Sequence, residues 1–378
     1  MIDTLTALKK KTELLCKGLY LDKNFLKHYK SQGIEIDFGR KGGAGPSGGR
    51  YFLLEDQKTL VNVALWNDSS ISSLSLKETE NGFFKIYDDR TKGEFGKVKL
   101  IQNPKYYDKN FLTSDGIQMK KIALVHGVNC LATTIYQQCT HWACGEPCKF
   151  CGIQVTLESG STIIEKNAQQ ICEVISEAKK EGRCSHMTLT TGTAEGEDKG
   201  ARKYIDILKG IKMKYPKLPL HIQIEPVNHA ILVELKEAGA DTIGIHIEIV
   251  DELLRKVITP GKSKIPYSKF KDSWNDAIDV FGNNQVETFL LTGFGESRIE
   301  FLKDVENLIT IGVIPYILPV RSVPGKTLMP IMNYNALLEI YEKTAKLMKQ
   351  HGMNPLKNKA GCVRCGGCSA INEAYKAV

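Results

Sequence analysis

The sequence lacks an apolar run long enough to cross a lipid bilayer, and residues 1–11 lack the apolar core of a signal peptide. It also lacks a block of like charge, because the formal net charge of +8 comes mostly from scattered lysines. No nucleic-acid recognition motif accompanies these lysines. These absences predict a cytoplasmic protein whose partners include neither a membrane nor a nucleic acid. The basic surface favours acidic partners.

The remaining composition is ordinary for a folded protein, with 42% hydrophobic and 25% charged residues in a chain of 378. That length suits one large domain with appendages or two domains. The chain has eleven cysteines, which predict metal ligation because the cytosol disfavours disulfides. Six of them lie in two compact groups. Cys16, Cys130, Cys172 and Cys184 lie outside both groups and are predicted to be small buried hydrophobic side chains.

Residues 1–116 are predicted to form a helical arm and a small β-rich domain. Leucines recur at helical spacing in the first part, and short β-rich runs separated by polar turns follow. Between them lies a glycine-rich segment, residues 39–50, which follows no strand and opens no helix. This segment is therefore predicted to be a surface loop in preference to a substrate-gripping one, and a Walker or Rossmann assignment fails.

Residues 117–330 alternate between strand and helix patterns, which predicts an α/β fold with a parallel sheet. Six strands are predicted, at residues 131–137, 186–191, 220–224, 242–247, 286–291 and 313–319. Helices are predicted between them, near residues 167–181, 200–214, 230–238, 272–281 and 299–311. Residues 331–378 then supply one more helix and the second cysteine group.

The first cysteine group follows the first predicted strand. Cys144, Cys148 and Cys151 are spaced C-x3-C-x2-C, with a glycine and a proline that favour turns between them. Three thiolates on one short loop can hold one face of a 4Fe-4S cube and leave the fourth iron without a protein ligand. Cys139 allows a second set with Cys148 and Cys151, spaced C-x8-C-x2-C. A structural zinc knuckle is the alternative to a cluster.

The second group, Cys362, Cys365 and Cys368, is spaced C-x2-C-x2-C among small glycines that let the backbone fold around a cube. It predicts an auxiliary iron-sulfur cluster whose fourth ligand is Ser369, Cys139 or a water molecule. Zinc and a redox-inert tail are the alternatives. The chain is thus expected to hold two 4Fe-4S clusters.

The first cysteine loop, with Phe150 before its last cysteine, and the βα units after it resemble the radical S-adenosylmethionine (SAM) enzymes. The resemblance covers about residues 123–318. It implies a partial (βα)6 TIM-type barrel, here with a β-rich N-terminal domain and a C-terminal cluster-binding tail. In that family the open iron binds SAM, and one electron cleaves the sulfonium to give a 5'-deoxyadenosyl radical. The resemblance therefore implies SAM as a cofactor and Cys144, Cys148 and Cys151 as the catalytic cluster ligands.

Sites in such barrels lie at the carboxyl ends of the strands. After the second strand, Thr191, Gly192 and Thr193 resemble the family element whose backbone contacts the SAM amino group. After the fifth strand, Gly293 and Gly295 resemble the glycine-rich strand end that lines adenine in biotin synthase and lipoyl synthase. Glycine permits the close backbone approach that a flat base needs.

Charged and polar residues follow the third and fourth strands. Glu225 is a candidate for a polar group of SAM or substrate, and His246 and Glu248 are candidates for the ribose hydroxyls. Arg255 and Lys262, in the following helical segment, are candidates for the SAM carboxylate. After the sixth strand, Arg321 and Ser322 are expected to face the barrel mouth.

Two narrower resemblances compete. One is to the two-component lipoyl synthases, which carry two 4Fe-4S clusters each. The other is to a nitrilase-associated radical SAM family, whose Thr-Thr-Gly-Thr, Gly-x-Asn-Gln-Val and Gly-Cys-x-x-Cys-Gly-x-Cys-Ser elements match residues 190–193, 282–286 and 361–369. Members of the second family lack a counterpart of Cys144, so the choice between Cys139 and Cys144 stays open.

The resemblance to the biotin synthase and lipoyl synthase group implies sulfur insertion into an unactivated C–H bond. The C-terminal cysteines are expected near the barrel mouth, and the substrate is expected to be an octanoyl or mercaptooctanoyl chain on an acyl or lipoyl carrier protein. Flavodoxin or ferredoxin is the expected reductant, and a second radical SAM protein is a further expected partner. The alternatives are transformation of a small nitrogen-containing metabolite, with the second cluster relaying electrons, and a zinc-stabilised binding protein.

Overall fold

The computed structural model describes residues 2–31, 49–78, 82–321 and 332–378. Most of the predicted glycine-rich loop lies outside these residues, as does Ser322. The described chain contains two seven-stranded sheets. None of its helices combines the length and the apolarity that a bilayer span requires.

The N-terminal sheet is mixed, with antiparallel pairs on one side and a parallel three-strand edge on the other. Its strands are β1 (Leu19–Leu21), β2 (Arg50–Leu54), β3 (Leu60–Val63), β4 (Leu65–Trp66), β5 (Leu74–Glu78), β6 (Phe84–Asp88) and β7 (Gly93–Leu100). The spatial order is β3-β2-β7-β6-β5-β1-β4. Helices α1 (Thr4–Lys17) and α2 (Lys23–Ser31) pack against it, so the helical arm and the β-rich domain are both present.

The second sheet is a curled half barrel with its strands in sequence order. They are β8 (Leu124–His126), β9 (Cys130–Tyr136), β10 (His186–Thr191), β11 (Leu220–Ile224), β12 (Thr242–Ile245), β13 (Val286–Thr292) and β14 (Ile314–Pro319). The six predicted strands are β9 to β14, and all are parallel to their neighbours. The antiparallel hairpin strand β8 was not predicted. The predicted fold class is confirmed.

The helices of the second half of the chain cover the outside of this sheet or follow its strand ends. They are α3 (Met119–Ile122), α4 (Thr140–Ala143), α5 (Ile153–Glu158), α6 (Ala168–Lys180), α7 (Lys203–Lys214), α8 (His229–Glu237), α9 (Glu252–Ile258), α10 (Pro260–Ser263), α11 (Tyr267–Phe281), α12 (Arg298–Ile311), α13 (Tyr334–Gln350), α14 (Cys362–Cys365) and α15 (Ile371–Ala377). Side-chain caps begin several of them, as at Asn167, Asn228 and Ser297, because each cap oxygen accepts a bond from a free backbone N–H of the first turn.

Alternation along the barrel strands gives the half barrel a polar interior. In β10, Met187 and Leu189 belong to the hydrophobic core, while Thr188 and Thr190 contact side chains of β9 across the interior face. Because successive side chains of a strand point to opposite faces, one row packs under the helices and the other faces the interior. We call this interior the lumen.

The C-terminal segment closes the lumen at the amino ends of the strands. The Gly361 N–H donates to Nδ1 of His186, the first residue of β10, over 3.3 Å. The N-terminal sheet covers the same segment, since the Asn62 N–H donates to the Gly367 carbonyl over 2.7 Å. Arg321 donates to Asn62 over 2.7 Å and also lines the cavity described below, so it joins the barrel to this sheet.

Candidate functional site

A cavity of about 240 Å³ lies at the carboxyl ends of the barrel strands. Cys139, Cys148 and Cys151 line it. Cys144 does not: its thiol is exposed and donates to the His141 carbonyl over 3.6 Å. The structure therefore brings together the C-x8-C-x2-C set, and the C-x3-C-x2-C set predicted first is not brought together.

The element after β10 holds this cysteine loop in place. A Cβ on Gly192 would lie 1.7 Å from the carbonyl oxygen of Gln138, so a larger residue would push the loop away. The Thr140 N–H donates to the Thr193 carbonyl over 2.8 Å, and the Gly192 N–H donates to the Tyr136 carbonyl over 2.8 Å. Glycine is thus needed for close packing of the loop on the strand end.

A second close contact holds the loop from the other side. A Cβ on Gly261 in α10 would lie 2.5 Å from Nδ1 of His141. The Gly261 N–H donates to the Glu146 carbonyl over 3.2 Å, and the Lys149 N–H donates to the Ile258 carbonyl over 2.9 Å. The segment α9–α10 therefore fixes the part of the loop that separates Cys139 from Cys148.

Glu225 lies at the cavity wall with two polar partners. Its Oε1 is 2.7 Å from Nε2 of His141 and accepts from the Thr193 hydroxyl over 2.9 Å. Burial by itself would raise the pKa of the Glu225 carboxyl, but the bond from His141 and the charge of Lys262 bring the pKa below its usual value. Glu225 is thus held as a carboxylate in a defined orientation.

Lys262 and Glu248 form an ion pair beside the cavity. Nζ of Lys262 is 2.8 Å from both carboxylate oxygens of Glu248 and donates to the His246 carbonyl over 3.0 Å. The charge of Glu248 outweighs burial and raises the pKa of Lys262, which keeps the lysine protonated. Glu248 has a φ of +59°, a conformation that costs energy for a residue other than glycine. Such strain at a cavity wall is typical of functional sites.

The second cysteine group lies at the other end of the lumen. Sγ of Cys362 is 3.7 Å from Nε2 of Gln223, and Sγ of Cys368 is 3.9 Å from the hydroxyl of Tyr51. The expected position near the barrel mouth is therefore wrong. The group lies inside the lumen and not over the barrel mouth, and the Gln223 side chain separates Cys362 from the cavity.

Buried titratable side chains surround this lower group. Glu287 is fully buried and accepts from the Val363 N–H over 3.3 Å, and its Oε1 lies 3.4 Å from Nε2 of His221. Burial raises the pKa of Glu287 to about 8, and burial lowers the pKa of His221 and of His186 to about 3. At neutral pH these three side chains are mostly uncharged, so the lumen contains them without the cost of burying a charge.

The donor chemistry of both groups suits iron-sulfur clusters, since each supplies three thiols from one short segment. Among the described residues, no three His, Cys, Asp or Glu side chains converge closely enough for one metal ion. Cluster thiolates bind different iron atoms and stand further apart than the ligands of a single ion.

Residues 142–308 match the family model described as the Radical SAM superfamily. This part of the chain is a radical SAM domain. No curated protein matches the chain.

Solved structures of low identity are similar to part of the chain. Methylornithine synthase (PylB) is 17% identical with a TM-score of 0.45, and the match covers 66% of this chain and 70% of that one. The FeFe-hydrogenase maturase HydG from Carboxydothermus hydrogenoformans is 15% identical with a TM-score of 0.41 and coverages of 60% and 52%. Coproporphyrinogen III oxidase (HemN) from Escherichia coli is 12% identical with a TM-score of 0.40 and coverages of 59% and 52%. The chain thus spans about half the length of the last two.

Most residues predicted to contact SAM line the cavity of the radical SAM domain. They are Thr191, Gly192, Thr193, Glu225, His246, Glu248 and Lys262. Arg255, Gly293 and Gly295 do not line it. Arg255 is buried and donates to the Lys262 and Ile265 carbonyls, so its guanidinium braces the α9–α10 segment.

The glycine-rich end of β13 folds on itself. The Glu296 carboxylate accepts from the Gly293 N–H and the Phe294 N–H, each over 2.8 Å. A Cβ on Gly293 would lie 2.9 Å from Val320, so this glycine serves packing against the neighbouring strand end. The predicted contact of these glycines with adenine has no counterpart in the residues that line the cavity.

Several cavity residues were not predicted, among them His141, Gln223 and Phe289. Phe289 stacks on the His246 ring with centroids 3.8 Å apart. The available signal was the alternation of polar and apolar residues in buried strands, as in the sequence Leu-His-Ile-Gln-Ile of β11. Strands buried on both faces usually read as continuous apolar runs, so this alternation indicates a polar lumen.

We predict that Gly192→Ala displaces the cysteine loop. The new methyl group would overlap the Gln138 carbonyl, and we expect a loss of stability of roughly 1–3 kcal/mol together with weaker iron retention. Iron per chain and the unfolding midpoint measure both effects. Gly93→Ala is the matched control, because the nearest side-chain atom to its Cβ is 3.6 Å away. Normal iron retention in Gly192→Ala would contradict the packing role.

We predict that Glu287→Gln removes a pH-dependent loss of stability from the cluster-free protein. The folded-state pKa of about 8 lies above the unfolded value of roughly 4.3, so the unfolded chain loses its proton first. Wild-type stability should fall by up to about 1.4 kcal/mol per pH unit between these values, and the glutamine variant should lack this fall. Urea unfolding across the range is the measurement, with the exposed Glu306→Gln as control. Equal pH slopes in wild type and Glu287→Gln would refute the assignment.

Proposed function

We propose that this chain is a radical SAM enzyme whose SAM-binding cluster is held by Cys139, Cys148 and Cys151. The observation that carries the proposal is that these three thiols of one loop meet at one cavity at the carboxyl ends of the strands. Bound there, a 4Fe-4S cluster supplies the electron that cleaves the SAM sulfonium to methionine and a 5'-deoxyadenosyl radical. The matching family model over residues 142–308 supports the same chemistry.

The charged pairs of the cavity wall are suited to orient SAM. Lys262 presents a protonated amine that can bind a carboxylate, and Glu225 presents a carboxylate that can accept from an amino group or a hydroxyl. His246 is buried, and its Nδ1 accepts from the Phe289 N–H over 3.1 Å. That bond fixes the tautomer, so Nε2 carries the proton and, having no partner among the described residues, can donate to a ligand.

We further propose that the product carries a new carbon–sulfur bond. The lower cysteine group supports this, because Gln223 lines the cavity and also contacts Cys362, so one side chain separates the two. A substrate radical in the cavity would bond to sulfide held at the lower group, with one electron of the sulfide passing to iron. An octanoyl or mercaptooctanoyl chain on an acyl or lipoyl carrier protein is the proposed substrate. Flavodoxin or ferredoxin is the proposed reductant, and a second radical SAM protein is a proposed partner.

We predict that Cys139→Ala, Cys148→Ala and Cys151→Ala each lower reductive SAM cleavage by more than roughly 100-fold, because each removes a ligand. Cys144→Ala is the matched control from the same loop. Its thiol is exposed and outside the cavity, so SAM cleavage should stay within about twofold of wild type. The measurement is 5'-deoxyadenosine formation by anaerobically reconstituted protein with dithionite. Loss of cleavage in Cys144→Ala with retention in Cys139→Ala would reverse the ligand assignment.

We predict that reduced enzyme with SAM adds sulfur to an octanoyl-lysyl or mercaptooctanoyl-lysyl peptide. Mass spectrometry should show a gain of one sulfur per insertion. Cys365→Ala should still cleave SAM but add no sulfur, because its lower site is incomplete. A peptide that stays unchanged while wild type cleaves SAM would refute sulfur insertion into this substrate. The radical would then act on another compound, such as a small nitrogen-containing metabolite, with the second cluster relaying electrons.

A further inference from the structure

We propose that Cys130 is the fourth protein ligand of the lower cysteine group, which would make that group a four-thiolate cluster site inside the lumen. The proposal rests on the second cluster of the proposed function and adds a residue from a distant part of the sequence. Cys130 begins β9, whereas Cys362, Cys365 and Cys368 belong to the C-terminal segment.

The first step places the Cys130 thiol in the lumen. Cys130 is 2% exposed, and its Sγ lies 3.5 Å from the hydroxyl of Thr188 on β10. Thr188 stands in the polar row that also contains His186 and Thr190. The thiol of Cys130 therefore shares the interior face with the polar side chains and does not pack under the outer helices.

The second step brings the C-terminal cysteines to the same point. A Cβ on Gly127 would lie 3.2 Å from Sγ of Cys365. Gly127 is in the hairpin that joins β8 to β9, where His126 pairs with Cys130. Cys365 thus lies against the hairpin that carries Cys130. The hairpin thus presents Cys130 directly to the C-terminal segment.

The third step compares the other candidates for the fourth ligand. Ser369 is fully buried, and its hydroxyl accepts from the Ile371 N–H over 3.4 Å. Cys139 lines the upper cavity at the opposite ends of the strands. Cys130 is the candidate whose thiol lies in the lumen and whose hairpin contacts Cys365.

Four-thiolate ligation would distinguish the two clusters chemically. Three thiolates at the upper loop leave one iron open for SAM, whereas four at the lower group leave none. A cluster with a full set of protein ligands resists loss of iron. The lower cluster would thus present sulfide, and no open iron, to the cavity.

The test isolates the lower cluster in the full-length chain. The triple variant C139A/C148A/C151A removes the ligands of the upper cluster, and after anaerobic reconstitution it should hold about four irons per chain. Adding Cys130→Ala should let mild oxidation remove one iron, seen as a 3Fe-4S signal in electron paramagnetic resonance and a fall to about three irons. Cys130→Ser should restore the four-iron cluster with an altered spectrum, because an oxygen can replace the thiolate.

The control adds Cys172→Ala to the triple variant. Cys172 is a buried cysteine on α6 whose Sγ lies 3.8 Å from the Gly210 carbonyl, outside the lumen, so the cluster should be unchanged. A Cys130→Ala form with the same iron content and oxidised spectrum as the triple variant would overturn the proposal and leave the proposed function standing. A triple variant without iron would overturn both. Circular dichroism of each variant, with Cys130→Ser as the conservative change, separates ligand loss from misfolding.

Discussion

The polar row on the inner face of the half barrel is the constraint on which the rest of the structure depends. Buried polar groups without partners cost roughly 1–3 kcal/mol each, so the row must be paired along its length. Pairs such as Thr134 with Thr190 at 2.9 Å and His221 with Thr242 at 2.7 Å supply those partners between neighbouring strands. Two atoms of the row lack a hydrogen-bond partner among the described residues: His246 Nε2 at the upper cavity and Glu287 Oε1 beside the lower cysteine group. The lumen is therefore suited to polar groups and not to a purely apolar core.

The N-terminal sheet has a structural role in this arrangement because it seals the open side of the half barrel. Lys11 of α1 is fully buried and donates to the Gly366 carbonyl over 2.6 Å and to Glu373 over 2.7 Å. A Cβ on Gly367 would lie 2.8 Å from the Tyr51 ring, so the sheet and the C-terminal cysteine segment are in close contact. Breaking a buried ion pair costs several kcal/mol, which ties the first helix to the last. Of the lower cysteine group, Cys368 is buried there, and Cys362 and Cys365 are partly buried.

The strands were predictable because their apolar rows are long and bounded by polar turns, and all six were found within two residues of their predicted ends. The ligand set of the upper loop was not predictable from the sequence, because spacing alone allows either Cys139 or Cys144 as the third ligand. The choice depends on contacts between distant residues, at Gly192 and at Gly261, that bend the loop and turn the thiol of Cys144 to solvent. The position of the C-terminal cysteines also depends on contacts between residues that are distant in the sequence. Whether a tail covers the mouth or fills the amino ends depends on partners such as His186 and Asn62, which no local pattern identifies.

The two cysteine groups differ in their access to the cavity, since only the upper group lines it among the described residues. The upper cysteines lie on a loop after β9 that lines an open cavity, where a nucleotide-sized ligand can enter. Gln223 lines the same cavity and contacts Cys362 of the lower group, and the His246 ring stacks on Phe289 at the cavity wall. A small uncharged radical centre at the end of a flexible chain can approach this wall, whereas a bulky charged group would lose its hydration there. The two cysteine groups are therefore linked through the side chain of Gln223, which lines the cavity and contacts Cys362.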